Sequence, residues 1–161
     1  MKKLFGILIA VGVLFSLASC TQMNYGPHTS GETAPMEWEN NEWGIVLSAE
    51  DVTPTGMTLV CTQSGGNPTG ELQTGSPFVI EQLMDGEWLP VPTIHGILDW
   101  AWTMEAWIIL PENTTKWDVN WDFLYGELAP GTYRIQKKIM DFRAPGDFTE
   151  KNYYAEFGIV D

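Results

Sequence analysis

A chain of 161 residues with 21 acidic and 8 basic side chains carries a formal charge of −13 at pH 7. So acidic a surface repels polyanions, which argues against nucleic acid and against anionic lipid headgroups as partners. With 44% hydrophobic and 12% aromatic residues, the chain has the apolar material for one core and the length for one domain after its leading segments are set aside.

The first of those segments is residues 1–19. Lys2 and Lys3 give a positive start, Leu4 to Leu17 form a short apolar run, and Leu17-Ala18-Ser19-Cys20 ends it. The run is too short for a comfortable membrane span, and a polar chain follows it. Small residues ahead of a Cys resemble a bacterial lipobox. The resemblance implies that Cys20 is acylated and becomes the new N-terminus; an uncleaved anchor or a plain signal peptide are the simpler alternatives. Several acyl chains on one Cys would hold firmly, since each buried CH₂ contributes about 0.8 kcal/mol. Cleavage would remove Lys2 and Lys3 and no acid, so the mature chain would be more acidic still. Residues 20–42 read as a flexible tether, polar and without apolar periodicity apart from Met36 and Trp38. A flexible chain of about 22 residues spans roughly 25 Å.

Residues 43–161 then read as short strands between turn signals. Gly44 to Asp51 is a first strand, with Ile45, Leu47 and Ala49 on one face. Pro54-Thr55-Gly56 turns the chain into a second, Met57 to Gln63, and residues 64–70 form a loop rich in Gly, Asn and Pro. Phe78 to Met84 is a third strand, and Asp85-Gly86 predicts a tight hairpin into Trp88 to Val91. Between His95 and Leu110 the pattern is ambiguous; a strand over Ala106 to Leu110 is preferred to a short helical stripe. Trp117, Val119 and Trp121 alternate with Asp118, Asn120 and Asp122, as in a short edge strand. Thr132 to Met140 and Asn152 to Val160 are the last two strands, expected to be hairpin neighbours about Pro145-Gly146.

The chain from Leu128 to Tyr133 has the pattern Leu-x-Pro-Gly-x-Tyr, that of a tyrosine corner. In it, a Tyr at the start of a strand folds its hydroxyl back to the preceding loop and fixes how the chain crosses between sheets. Pro130, Gly131 and Tyr133 are therefore expected to be structural. About seven strands and such a corner predict an all-β, immunoglobulin-like sandwich. Once Cys20 is committed to lipid, Cys61 has no cysteine to pair with, so packing alone must hold the sandwich. Cys61 is expected in the second strand, buried as a small hydrophobe near Trp88 or Ile135.

Several pieces carry a wider resemblance: Val52-Thr53-Pro54-Thr55-Gly56-Met57-Thr58-Leu59, the run from Glu81 to Pro92 with its Asp85-Gly86-Glu87-Trp88, then Trp121, Tyr125-Gly126-Glu127-Leu128, Gly131-Thr132-Tyr133-Arg134-Ile135, Lys137 and Ala155-Glu156-Phe157. Together they resemble a bacterial Ig-like domain family found in exported proteins and lipoproteins of Firmicutes. The resemblance implies fold and export, and supplies no catalytic residue.

Motifs for chemistry are poor. There is no G-x-S-x-G elbow, no H-E-x-x-H and no P-loop. A hydrolase would have to centre on His95, with Asp99 orienting it, and no Ser sits in an activating motif; no enzyme and no cofactor is expected. Asp118-x-Asn120-x-Asp122 has the spacing of the first calcium ligands of an EF-hand, but Phe123 and Ala129 stand where that loop needs Gly and Glu, so no metal is expected. The tryptophans are the better lead, seven of the eight lying beyond residue 40. Asp99, Trp100, Trp102, Trp117 and Trp121 are the candidate contacts for a ligand or partner, against the plainer reading that each Trp fills the core. Arg134 and Lys137 are expected to pair with surplus acids. The expected function is a lipid-anchored, extracytoplasmic, non-catalytic module that contacts another envelope protein or acts as a spacer. The alternative is a glycan-binding module using exposed Trp residues.

Overall fold

A computed structural model describes residues 41–94, 101–103 and 105–160. The expected signal peptide, Cys20 and nearly all of the expected tether fall outside the described residues, as do His95, Asp99 and Trp100. Among the described residues eight strands follow in the order β1 (Ile45–Thr53), β2 (Gly56–Gln63), β3 (Glu71–Met84), β4 (Glu87–Pro90), β5 (Trp107–Ile108), β6 (Asn113–Asn120), β7 (Gly131–Ala144) and β8 (Asp147–Ile159). One helical turn, α1 (Asp122–Tyr125), follows β6. The strands form two antiparallel sheets, β1-β2-β6 and β4-β3-β7-β8, with β5 pairing to the first half of β3. The architecture is an all-β sandwich.

Alternation decides what the sheets bury. Ile45 and Leu47 of β1, Leu59 and Cys61 of β2 and Val119 of β6 face Ile80, Ile135, Ile139, Ala155 and Phe157 of the larger sheet. Cys61 is a free, fully buried thiol, and burial pushes its pKa up to about 12. It packs in the core with Ile135, whereas Trp88 is directed away from the core and lies against Arg134. A nucleophilic role is thereby disfavoured, since the thiolate is the reactive form.

The turn residues match their chemistry. Asp85 and Gly86 both have positive φ, 52° and 85°, as the tight hairpin between β3 and β4 requires. β7 and β8 form a long hairpin running from Gly131 against Ile159 to Ala144 against Asp147. At its start the Tyr133 hydroxyl donates to the Ala129 carbonyl at 2.8 Å. The absence of a side chain on Gly131 makes room for this ring, since a Cβ there would lie 3.3 Å from it. The Tyr133 ring stacks on Phe157 at 5.7 Å, and Phe157 stacks in turn on Trp121 at 5.3 Å. One aromatic column thus joins the bend before β7, the last strand and the end of β6. Replacing Tyr133 by Phe keeps the column and removes only the hydroxyl, so urea unfolding should show a loss of about 1–2 kcal/mol.

Several elements differ from expectation: β6 begins at Asn113 and gives way to a helical turn at Asp122, β7 runs on to Ala144 and β8 begins at Asp147, each longer than the alternation alone indicated. β3 begins at Glu71, seven residues before the expected Phe78, because its first half carries Gly75, Ser76 and Pro77, a run that reads as loop. These residues form an irregularity between Thr74 and Phe78, where the pairing with β7 shifts register. Pro77 has no N–H for the ladder, and a bulge is where a strand tolerates it. The strand expected over Ala106 to Leu110 shortens to Trp107–Ile108. At the far end, Asp141 of β7 holds the 64–70 loop, accepting from the Thr69 N–H (2.9 Å), the Thr69 hydroxyl (2.7 Å) and the Gly70 N–H (2.6 Å). Burial pushes its carboxyl up, but these donors and Arg143 outweigh that and hold it below its ordinary range.

Candidate interaction faces

The predicted tryptophans separate into core and wall. Trp121 is fully buried, with its indole N–H donating to the Pro54 carbonyl at 2.8 Å. Its ring lies out of reach of any ligand, and the expectation of a contact role gives way to a core role. Parity gave no clue, because Trp117, Val119 and Trp121 share one side; the burial of Trp121 comes from packing with Phe157 of the other sheet. Trp117 is half-buried and stacks on Trp107 at 5.7 Å. Trp102 is half-buried too, edge-on to Phe78 at 5.1 Å, and Phe78 also meets Tyr125. Trp102, Trp107 and Trp117 therefore form an aromatic wall beside the bulge of β3, with Ser76 and Thr103 hydrogen-bonded across it at 2.9 Å. Asp118 and Asn120 are exposed on the other face of β6. Among the described residues no group of His, Cys, Asp or Glu is placed to hold a metal ion.

Beneath the wall lies Lys137, which is 1% exposed. Among the described residues it pairs with no acid, contrary to the expectation for this strand. Its Nζ donates to the Gly75 carbonyl and, at 3.1 Å, to the Pro77 carbonyl, and sits 4.9 Å from the centre of the Trp107 ring. The bulge strips carbonyls from the ladder and the ammonium takes them up. Burial pushes this amine down to about 8.

The outer face of the larger sheet carries a second assembly, which needs the strand register to be seen. Glu81, Arg134 and Glu156 lie directly across from one another on β3, β7 and β8. Arg134 Nε donates to Glu81 Oε2 at 2.5 Å, and its guanidinium lies 4.6 Å from the Trp88 ring centre and 4.3 Å from that of Tyr154. The pair is largely covered, at 15% and 14% side-chain exposure, so it is screened less than a surface ion pair. Glu156 is half-buried, and its Oε1 is enclosed without a hydrogen-bond donor. Val79 and Leu83 lie on the same face and are exposed.

The charge distribution around these faces is lopsided. Lys116 pairs with Glu50, Lys138 with Glu150, Arg143 with Asp141 and Asp147, and Lys151 with Glu42. With Arg134 on Glu81 and Lys137 on carbonyls, every Lys and Arg among the described residues is engaged. The surplus acids are left uncompensated.

A family model described as a bacterial Ig-like domain matches residues 41–158. The chain belongs to the bacterial Ig-like domain family. No curated protein and no solved structure matches it. For an Ig-like domain the two-sheet arrangement and the corner at Tyr133 are the expected frame, and membership suggests a non-catalytic interaction or scaffold module. This Ig-like domain offers such a module two surfaces, the aromatic wall and the outer face of β4-β3-β7-β8. The second was missed in the sequence because its members lie far apart in the chain and only pairing brings them into one row.

Proposed function

We propose that this chain is a membrane-anchored, extracytoplasmic lipoprotein whose Ig-like domain makes non-catalytic contacts with another envelope protein. The reading is supported by family membership, by the lipobox-like Leu17-Ala18-Ser19-Cys20, and above all by the row Glu81, Arg134 and Glu156 with its flanking Trp88 and Tyr154. Immobile aromatic and arginine side chains set among exposed aliphatics are what protein contact sites are built from. As in other lipoproteins of this resemblance, acylated Cys20 is the membrane anchor and residues 20–42 are the spacer.

Glycan binding is the second reading, and the ring contacts weigh against it. Sugar stacking needs a free ring face, whereas Trp117 is stacked on Trp107, Trp88 lies against Arg134, and Trp121 is stacked on Phe157. Two experiments test the proposal. Growth with an alkyne fatty acid should label the chain, and Cys20→Ala should abolish the label and release the protein from the membrane fraction. The purified chain should retain a defined envelope protein while its Trp fluorescence stays unchanged on titration with cell-wall and plant polysaccharides. Labelling that survives Cys20→Ala would remove the anchor, and a saturable fluorescence shift with a polysaccharide would favour the glycan reading.

A further inference from the structure

We infer that Trp38, in the segment leading into the domain, docks into an apolar groove at the end of the sandwich where the chain enters it. The inference goes beyond the reading of the domain as an interaction module and is independent of acylation at Cys20. It gives the groove an occupant from the same chain and so leaves the domain on a shorter free spacer.

The groove, of about 210 Å³, lies between the 64–70 loop, the start of β3 and the segment after β5. Pro68, Leu72, Ile108, Leu110 and Pro111 line it, and Ile108 and Leu110 are 49% and 53% exposed, so its walls are open to an incoming side chain. It is smaller than the roughly 300–1,000 Å³ of small-molecule sites, whereas an apolar cavity of about 150 Å³ already takes one aromatic ring. Its polar groups favour an indole. Gln63 spends its amide within the fold: Nε2 donates to the Trp43 and Gly65 carbonyls at 3.1 and 2.8 Å, and Oε1 accepts from the Glu112 N–H at 2.7 Å. The charged group at the rim is Glu71, an exposed carboxylate that suits the donor-only indole N–H and repels an acidic occupant.

The chain delivers such a ring to this place. The Asn67 N–H donates to the Glu42 carbonyl at 2.6 Å, and Gly66 abuts the Trp43–Gly44 backbone so closely that a Cβ there would come within 2.4 Å of it. The point of entry is thus fastened beside Pro68 and, through Gln63, to the groove itself. Trp38 stands four residues before Glu42, a span of at most about 14 Å when extended. In Met36-Glu37-Trp38-Glu39 an extended backbone sets both apolar side chains on one face and both acids on the other, so the indole enters while the acids stay in water. So short a connection gives the ring a local concentration on the order of mM.

The test uses the full chain in detergent micelles, labelled with fluorotryptophan and read by fluorine NMR. Trp38→Phe identifies the Trp38 signal, and the signals of the buried Trp43 and Trp121 report that the fold is intact. A soluble paramagnetic chelate should broaden the Trp38 signal as little as that of Trp121. Leu110→Glu puts a charge on an exposed wall of the groove. It should move the Trp38 signal to the position of free fluorotryptophan and abolish its protection, with Trp43 and Trp121 unmoved. Val46→Glu makes the same change at an exposed residue of β1 and should leave Trp38 in place. If Leu110→Glu disturbs Trp43 and Trp121 as well, Ile108→Gln probes the groove from its other wall with the same expected loss. A Trp38 signal fully broadened in the parent would overturn the inference. So would protection that neither groove variant removes, which would put the ring in the micelle or elsewhere on the domain. Protection that fades on dilution would assign the groove to a second copy of the chain and overturn it too.

Discussion

Replacing Trp121 by Ala should destabilise the domain by about 4 kcal/mol, as large-to-small changes of buried aromatic residues do. The ring is fully enclosed and stacks on Phe157, which itself packs on the Tyr133 ring at the corner. Removing it opens a cavity at the point where three segments meet. The change also strips a donor from the Pro54 carbonyl, which then keeps only the Leu128 N–H at 2.8 Å. Domains of this size have net stabilities of about 5–15 kcal/mol, so the variant should melt far below the parent or be partly unfolded at room temperature. Trp102→Ala removes a half-buried ring in a loop and should cost much less. Urea denaturation of the two variants checks the order. Were Trp121 a ligand contact, Trp121→Ala would leave the midpoint almost unmoved.

The second large effect is a rise in stability between pH 7 and 9, caused by Lys137. Its amine titrates near 8 in the folded domain against an ordinary 10.5, because burial disfavours the charged form. In this window the unfolded chain holds the proton and the folded one releases it, so unfolding becomes harder as pH rises. Over those two pH units the gain is about 1.4 kcal/mol. The opposing groups act later: Cys61 and Tyr153 are both pushed up to about 12 from ordinary values of 9.0 and 10.0, chiefly by burial. Their contribution is complete well below those ordinary values and is lost as the unfolded chain begins to ionise, so Cys61 starts to offset the rise from about pH 8 and Tyr153 from about pH 9. Lys137→Met should remove the rise and leave a flat or falling profile over the same range. The variant's stability at pH 7 is a balance of relieved desolvation against two orphaned carbonyls, and the slope is the cleaner measurement. A parent and a variant with the same slope would mean that Lys137 is solvated.

Local signals carried the fold a long way. The Asp85-Gly86 hairpin, the second strand, the β7–β8 pair and the run from Leu128 to Tyr133 were legible because each depends on a few adjacent residues with one physical solution. β3 was half missed because Gly75 and Pro77 are loop residues by propensity, and only the register with β7 turns them into a bulge. Lys137 shows the same conflict differently. Its position in the row with Tyr133, Ile135 and Ile139 marked it as inward-facing, and its charge argued for the surface. The pattern prevailed, because the bulge supplied carbonyls for the amine. Parity could not sort Trp117 from Trp121, because both share the side of Val119; what buries Trp121 is its stacking on Phe157 and its bond to the Pro54 carbonyl. No local signal could have assembled Trp88, Glu81, Arg134, Tyr154 and Glu156, whose union depends on the pairing of four strands.

The most direct measurement of the central idea, that the domain works by contact through the outer face of β4-β3-β7-β8, is photo-crosslinking in intact cells. A benzophenone amino acid would be placed singly at Val79 or Leu83 on that face and at Val46 on the outer face of β1-β2-β6, all three of them exposed side chains. Irradiation should give one discrete adduct from Val79 and Leu83 and none from Val46. Adducts from Val46 alone, or none from any of the three, would contradict the account.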